Sequence, residues 1–203
     1  MHSFSRLMWP FKDRVDVIID VGVRKGTPEL YQAFDSNPFI LIDPQIGAES
    51  WLESSPKNYK FLNIGLGSKS GQLEFYEDFA KSSFLQRTAL TADATTKKHI
   101  VKVDTLDNVV KSEKLEGRIG VKIDTEGYEL EVIKGIKNCS AQIEFIICEA
   151  SIRKRFEDSY EFSELVVEMH KRGFLFYNFF NEPMARPRFY DVMFLPVGHE
   201  LFS

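Results

Sequence analysis

VDVIIDVGVRKG, residues Val15 to Gly26, places five Val or Ile residues around Asp16 and Asp20 before its first glycine. A run this short and this apolar reads as a strand buried on both faces, so it belongs in mid-sheet. Thr27-Pro28-Glu29 then supplies a helix start: a hydroxyl at the cap, proline in the first turn and an acid near the positive end of the dipole. Strand, glycine turn and helix in succession form a cradle for a nucleoside. Gly22 is expected to let a ligand approach the backbone, and Gly26 to let the helix pack close to the strand. The glycines are spaced G-x-x-x-G with Asp20 two residues ahead, so the G-x-G-x-x-G pattern that admits a pyrophosphate is absent. A tight turn with no ligand is the alternative.

Downstream, Pro28 to Phe34 reads as a short helix that stops before Asn37-Pro38. FILIDP follows as a second buried strand ending in Asp43, twenty-one residues after Gly22. At that spacing an acid at a strand tip accepts hydrogen bonds from ribose hydroxyls, although Asp43 also suits a turn before Pro44. Ile46 to Leu52 is expected to be a helix with Trp51 and Leu52 facing the sheet, and Tyr59 to Ile64 a third strand. Its end, Asn63 with Gly65-Leu66-Gly67, offers backbone that can lie against an adenine ring. Gly71 to Tyr76 alternates as a half-exposed strand added after the third. Residues 77–99 show no clean period and form a candidate substrate lid.

Order returns with a strand from His99 to Val103 and a helix capped by Asp104 or Thr105. Ile119 to Ile123 is a further parallel strand with Asp124-Thr125-Glu126-Gly127 at its tip, followed by a helix from Tyr128 to Ile136. Ile143 to Glu149 is the next strand, and Phe162 to Arg172 an amphipathic helix ended by Gly173. Phe174 to Phe180 and Phe189 to Pro196 are aromatic-rich strands that can pair antiparallel.

With 203 residues, 43% of them hydrophobic, and no linker-like tract, the chain reads as a single domain with residues 1–14 as an N-terminal flap. Met8, Trp9 and Phe11 are expected to pack in that flap. A net charge of −4 argues against a general nucleic-acid grip. The two cysteines, Cys139 and Cys148, are too few for a disulfide framework, and no stretch has the length of a signal peptide core or a membrane span. A reducing, cytoplasmic location is therefore expected.

VKIDTEGYELEVIKG, with VKVDTLD, IIDVGVRKG and ILIDP upstream of it, resembles the FkbM family of class I S-adenosylmethionine-dependent methyltransferases, collinearly from about Val15 to Leu195. The resemblance implies a Rossmann-like three-layer α/β sandwich with a mostly parallel seven-stranded sheet and a C-terminal antiparallel strand. It also implies S-adenosylmethionine as cofactor, with Asp20, Gly22, Gly26, Asp43, Asn63 and Gly65 as its binding residues. The activity implied is transfer of a methyl group to a hydroxyl of a small molecule or carbohydrate. One departure stands out. The family's first motif usually reads G-A-N-x-G, and this chain puts Arg24 where a small polar residue is expected. A cation beside a sulfonium is unfavourable, so Arg24 is expected to point away, or cofactor binding to be altered.

An acceptor hydroxyl needs somewhere to leave its proton. Asp124 and Glu126, two acids at a parallel strand's carboxyl end, are the expected catalytic pair, although Asp124 also suits a helix cap and Glu126 the helix's positive end. Glu149 sits at the adjacent tip and, with Arg153 and Arg155, is expected to face the acceptor, the guanidinium groups holding a phosphate or an acidic sugar. His99 and His170 are weaker bases. Asp124 and Glu149 sharing a divalent cation is a variant, but two carboxylates are thin for a metal and no metal site is expected. Two other readings stay open: a non-catalytic binding protein that kept the fold, and an NAD-dependent oxidoreductase, which the missing glycine disfavours.

Overall fold

The computed structural model describes residues 3–77, 82–86, 97–181 and 184–203. In chain order the elements are α1 (Ser3–Met8), β1 (Val17–Val21), α2 (Pro28–Ala33), β2 (Phe39–Ile42), β3 (Tyr59–Leu62), β4 (Gly65–Leu66), β5 (Gly71–Glu77) and β6 (Lys97–Asp104). They continue with α3 (Leu106–Ser112), β7 (Ile119–Ile123), α4 (Glu129–Lys134), β8 (Ile143–Ser151), α5 (Phe162–Lys171), β9 (Phe174–Phe179) and β10 (Phe189–Pro196). The expected lid falls partly outside this set, since residues 78–81 and 87–96 are not among the described residues.

Seven strands form one sheet in the order β3-β2-β1-β7-β8-β10-β9. β1, β2, β3, β7 and β8 are parallel, and β10 lies antiparallel to both β8 and β9. Every residue of β1, β2 and β7 is buried, as expected of predominantly apolar strands in a sheet covered on both sides. Side-chain alternation divides the core in two. Val17, Ile19 and Val21 of β1 and Ile119, Val121 and Ile123 of β7 pack with α3, α4 and α5 on one face. Ile18, Phe145, Ile147 and Met193 pack with Met8, Phe11, Leu30 and Phe34 on the other. The chain winds from β1 outward to β3, then returns to place β7 on β1's other side. That reversal opens a crevice beyond the carboxyl ends of β1 and β7, where ligands of open α/β sheets bind.

Several local expectations need correction. Gly71 to Tyr76 does not extend the main sheet. β5 pairs antiparallel with β6, and β6 pairs with the two-residue β4, in a separate three-stranded sheet. Ile46 to Leu52 is not a full helix. Gly47 adopts a left-handed conformation (φ 76°), and only a 3-10 turn, Ala48–Trp51, follows. Trp51 is 43% exposed and does not face the sheet, whereas Leu52 is half-buried and packs against the core as expected. In the N-terminal flap Met8 and Phe11 are buried as expected, but Trp9 is 68% exposed.

Candidate active site

The crevice holds a cavity of about 280 Å³ whose wall includes Gly22, Asp43, Gly65, Asp124, Glu126 and Glu149. Four strand tips therefore contribute to one space: the turn after β1, the ends of β2 and β7, and β8. Gly26 also lines it, whereas Asp20 and Asn63 are not part of its wall.

Asp20 is fully buried in β1. Its Oδ2 accepts from Thr27 Oγ1 and Tyr31 Oη, both at 2.9 Å, which ties the strand to the start of α2. Its Oδ1 has no hydrogen-bond partner among the described residues. Gly22 has φ 80°, and a Cβ there would lie 1.7 Å from the carbonyl oxygen of Asp124. The glycine is needed for the β1 turn to lie against the β7 tip, and it also lines the cavity. Gly26 (φ 103°) faces the carbonyl of Ser54, where a Cβ would come within 2.1 Å, and the Tyr31 ring of α2, which it would meet at 3.2 Å, so it accommodates both the crossing segment and the helix.

Asp43 is buried at the tip of β2. Oδ2 accepts from the Arg24 amide at 2.8 Å and Oδ1 from the Gln45 amide at 2.9 Å, so it shapes both its own turn and the glycine turn beside it. Burial raises its pKa against the pull of those two amides. Arg24 has φ 49° and is exposed, and its side chain makes no ion pair among the described residues. What Arg24 brings to the site is its backbone amide. Asn63 is exposed, and its amide donates to the carbonyls of Asp43 (2.8 Å) and Gln45 (2.7 Å), bracing that turn. Gly65 does not face open space: a Cβ there would come within 2.3 Å of the Phe84 ring, which sits against Phe75 and Tyr128 with centroids 5.0 and 4.9 Å away. The aromatic wall at this end of the cavity is thus protein. Phe84 belongs to a short strap in which Gln45 Nε2 donates to Ser82 Oγ (2.6 Å) and Ser83 Oγ donates to the Glu126 carbonyl (2.8 Å).

At the tip of β7 Asp124 does not cap a helix, because α4 begins only at Glu129. It is held by Lys122, whose Nζ lies 3.2 Å from Asp124 Oδ2 and 3.7 Å from Asp20 Oδ1. Burial works against the charge on Lys122, yet the carboxylates of Asp124 and Asp20 keep its pKa above the ordinary lysine value, so it remains an ammonium. Sequence reasoning passed over this residue. Its signal was a lone cation in the otherwise apolar run IGVKI. Glu129 was also missed. It is fully buried, accepts from the Thr125 and Gly127 amides at 2.9 and 3.0 Å through Oε1, and from Tyr160 Oη at 2.8 Å through Oε2. Burial raises its pKa against those bonds. The turn that presents Asp124 and Glu126 is therefore built around Glu129, and Glu126 takes a left-handed conformation (φ 51°) within it.

Arg155 is not free to hold a substrate anion. It donates to Glu149 Oε2 at 2.8 Å and to Glu126 Oε2 at 3.4 Å, and lies over the Phe189 ring at 5.0 Å. Arg153 is exposed and outside the cavity wall. Burial and the charge of Asp124 push the Glu149 carboxyl up to about 8, against the pull of Arg155. Asp191, opposite Glu149 in the β8 to β10 ladder, is likewise raised by burial. His99 pairs with Glu77 and His170 is exposed on α5, so neither reaches the cavity. Among the described residues no group of three or more His, Cys, Asp or Glu is placed to hold a metal ion, and no helix is long and apolar enough to cross a membrane.

These residues fit a nucleoside that carries a sulfonium. Asp20 Oδ1 is buried beside Lys122 with no hydrogen-bond donor among the described residues, Asp43 lines the cavity with carboxylate lone pairs beyond the two its amides use, and Asp124 and Glu126 give the floor negative character.

Comparisons with known proteins agree. The chain shares 28% identity over 147 residues with the hexuronic acid methyltransferase AglP of Haloferax volcanii, a match covering 71% of this chain and 59% of that protein. It therefore spans less than two thirds of that relative's length. Its fold is similar to that of the magnesium protoporphyrin IX methyltransferase of Synechocystis PCC 6803, solved with bound S-adenosylmethionine (TM-score 0.53, 10% identity, 96% of this chain and 76% of that one). It is also similar to a fibrillarin pre-rRNA processing protein of Methanococcus jannaschii (TM-score 0.51, 11% identity, 96% and 75%). The methyltransferase FkbM domain matches residues 20–176. The chain belongs to the FkbM methyltransferase family.

Proposed function

We propose that the protein moves the methyl group of S-adenosylmethionine to a hydroxyl oxygen of a sugar or other small molecule, working as one domain over its whole length. The observation that carries this reading is the convergence of Asp43, Asp124, Glu126 and Glu149 on one cavity. Bound there, the cofactor supplies a methyl group on a positively charged sulfur, ready for in-line displacement. Asp20 and Asp43 are the groups that hold it, and Gly22, Gly26, Asn63 and Gly65 act by shaping the walls. Asp124 and Glu126 are kept in place by Lys122, Arg155 and the Glu129 scaffold, so the negative side of the cavity is organised before any ligand arrives. The acceptor oxygen is aligned against this surface, and a carboxylate relieves it of its proton.

The AglP match points toward an acidic sugar as acceptor, and the exposed Arg153, Arg186 and Arg188 at the β8 and β10 ends supply cations for such a group. The test is direct. Incubation of the protein with methyl-labelled cofactor and a panel of hexuronides, neutral glycosides and RNA should place label on a saccharide oxygen. Label confined to RNA, or to nitrogen, would reject the reading.

A further inference from the structure

Resting on the reading of a hydroxyl acceptor, we propose that Glu149 takes the acceptor's proton, and that the positive charge of the bound cofactor readies Glu149 by expelling a proton that it carries in the free protein.

Strand alternation puts Asp20 of β1, Lys122 of β7, Glu149 of β8 and Asp191 of β10 on the same face of the sheet, the face of Ile18, Ile147 and Met193. Asp124 lies next to Lys122 and Glu126 shares Arg155 with Glu149. Five carboxylates thus meet two cations. Lys122 from β7 serves Asp124 and Asp20. Arg155, from the segment after β8, serves Glu149 and Glu126. Asp191 from β10 accepts from the amide of Asn181 and makes no ion pair among the described residues. Such a surplus of buried negative charge is relieved when one carboxyl holds a proton. Glu149 is the one whose burial and neighbours favour this near neutral pH.

A cation arriving in the cavity removes the reason for the proton to stay. Glu149 then faces the acceptor as a carboxylate. As the acceptor oxygen bonds to the methyl carbon, the carbon–sulfur bond breaks with its electron pair left on sulfur, and the hydroxyl proton passes to Glu149. Glu149 ends neutral beside a neutral thioether, the state it had before cofactor arrived. The product leaves without proton movement, and the next cofactor cation drives the proton off.

Calorimetric titration of the full chain near pH 7, in buffers of different ionisation enthalpy, counts these protons without any acceptor. S-adenosylmethionine should release close to one proton per site, and neutral S-adenosylhomocysteine distinctly fewer. Glu149→Gln should still bind both ligands and lose the difference between them. Asp124→Asn, which leaves the Glu149 to Arg155 pair intact, should shrink the release seen with S-adenosylmethionine. Equal counts for the two ligands, a difference that survives in Glu149→Gln, or an undiminished count in Asp124→Asn would each overturn the proposal. Finding the methyl group on an atom other than a hydroxyl oxygen would instead remove the acceptor reading and leave the counts unchanged, so the two fail separately.

Discussion

The α-hydrogen face of Gly22 is pressed against the carbonyl oxygen of Asp124, leaving a gap that a Cβ would enter at 1.7 Å. The contact joins the first glycine turn to the tip of β7, and backbone cannot yield as a flexible side chain does. Gly22 also has φ 80°, where an L side chain is strained. Gly22→Ala should therefore cost about 3 kcal/mol or more, seen as a large fall in the denaturant midpoint. A drop of less than about 1 kcal/mol would show that the two tips part easily.

The pairing of Tyr160 with Glu129 predicts a second outcome. Tyr160→Phe removes one donor from a fully buried carboxylate while leaving the Thr125 and Gly127 amides in place. Stability should fall by about 1–3 kcal/mol. The turn carrying Asp124 should loosen with it, raising amide exchange at Thr125 and Gly127.

At the aromatic end of the cavity the prediction concerns affinity rather than folding. A Cβ on Gly65 would meet the Phe84 ring, the movable part of a side chain, so the fold can survive by shifting that ring. Gly65→Ala should keep the native circular dichroism yet weaken S-adenosylmethionine binding by about tenfold, equivalent to about 1.4 kcal/mol, because Phe84 is pushed into the cavity. Unchanged affinity in calorimetry would take Phe84 out of the cofactor wall.

Burial raises the carboxyls of Asp43, Glu129, Glu149 and Asp191. The folded chain then holds protons that the unfolded chain has released, so stability is lost as pH climbs from the ordinary carboxylate range through about 8, the Glu149 value. The lowered carboxyls of Asp104, Asp107, Glu131 and Glu168 act oppositely and fail only in acid. Cofactor-free protein should thus melt at a higher temperature near pH 6 than near pH 8.5, and Glu149→Gln should flatten the upper part of that slope. A melting temperature that rises across this interval would contradict a proton held on Glu149.

The layered fold was legible because β1, β2, β7 and β8 are short, mostly apolar runs rich in Val, Ile and Phe, with neither helical nor half-exposed periodicity. The convergence of Asp43, Asp124, Glu126 and Glu149 followed from their position at strand ends. What the residues do there was less legible. Spacing identifies Gly22 and Gly26 as special but is silent on which carbonyl crosses each one. The Glu126 partner of Arg155 and the Tyr160 partner of Glu129 lie 29 and 31 residues away, and only packing reveals that these charges are already engaged. Ile46 to Leu52 misled because its apolar residues had helical spacing while Gly47 broke the helix at its start.

The position of β10 has a consequence for biosynthesis. This late strand wedges between β8 and β9, buries Val192, Met193, Phe194 and Leu195 completely, and brings Asp191 opposite Glu149. A nascent chain halted at Arg188 would display the long apolar edge of β8 to its surroundings, a template for intermolecular strand pairing. Premature termination there should yield aggregates rather than a weakened enzyme.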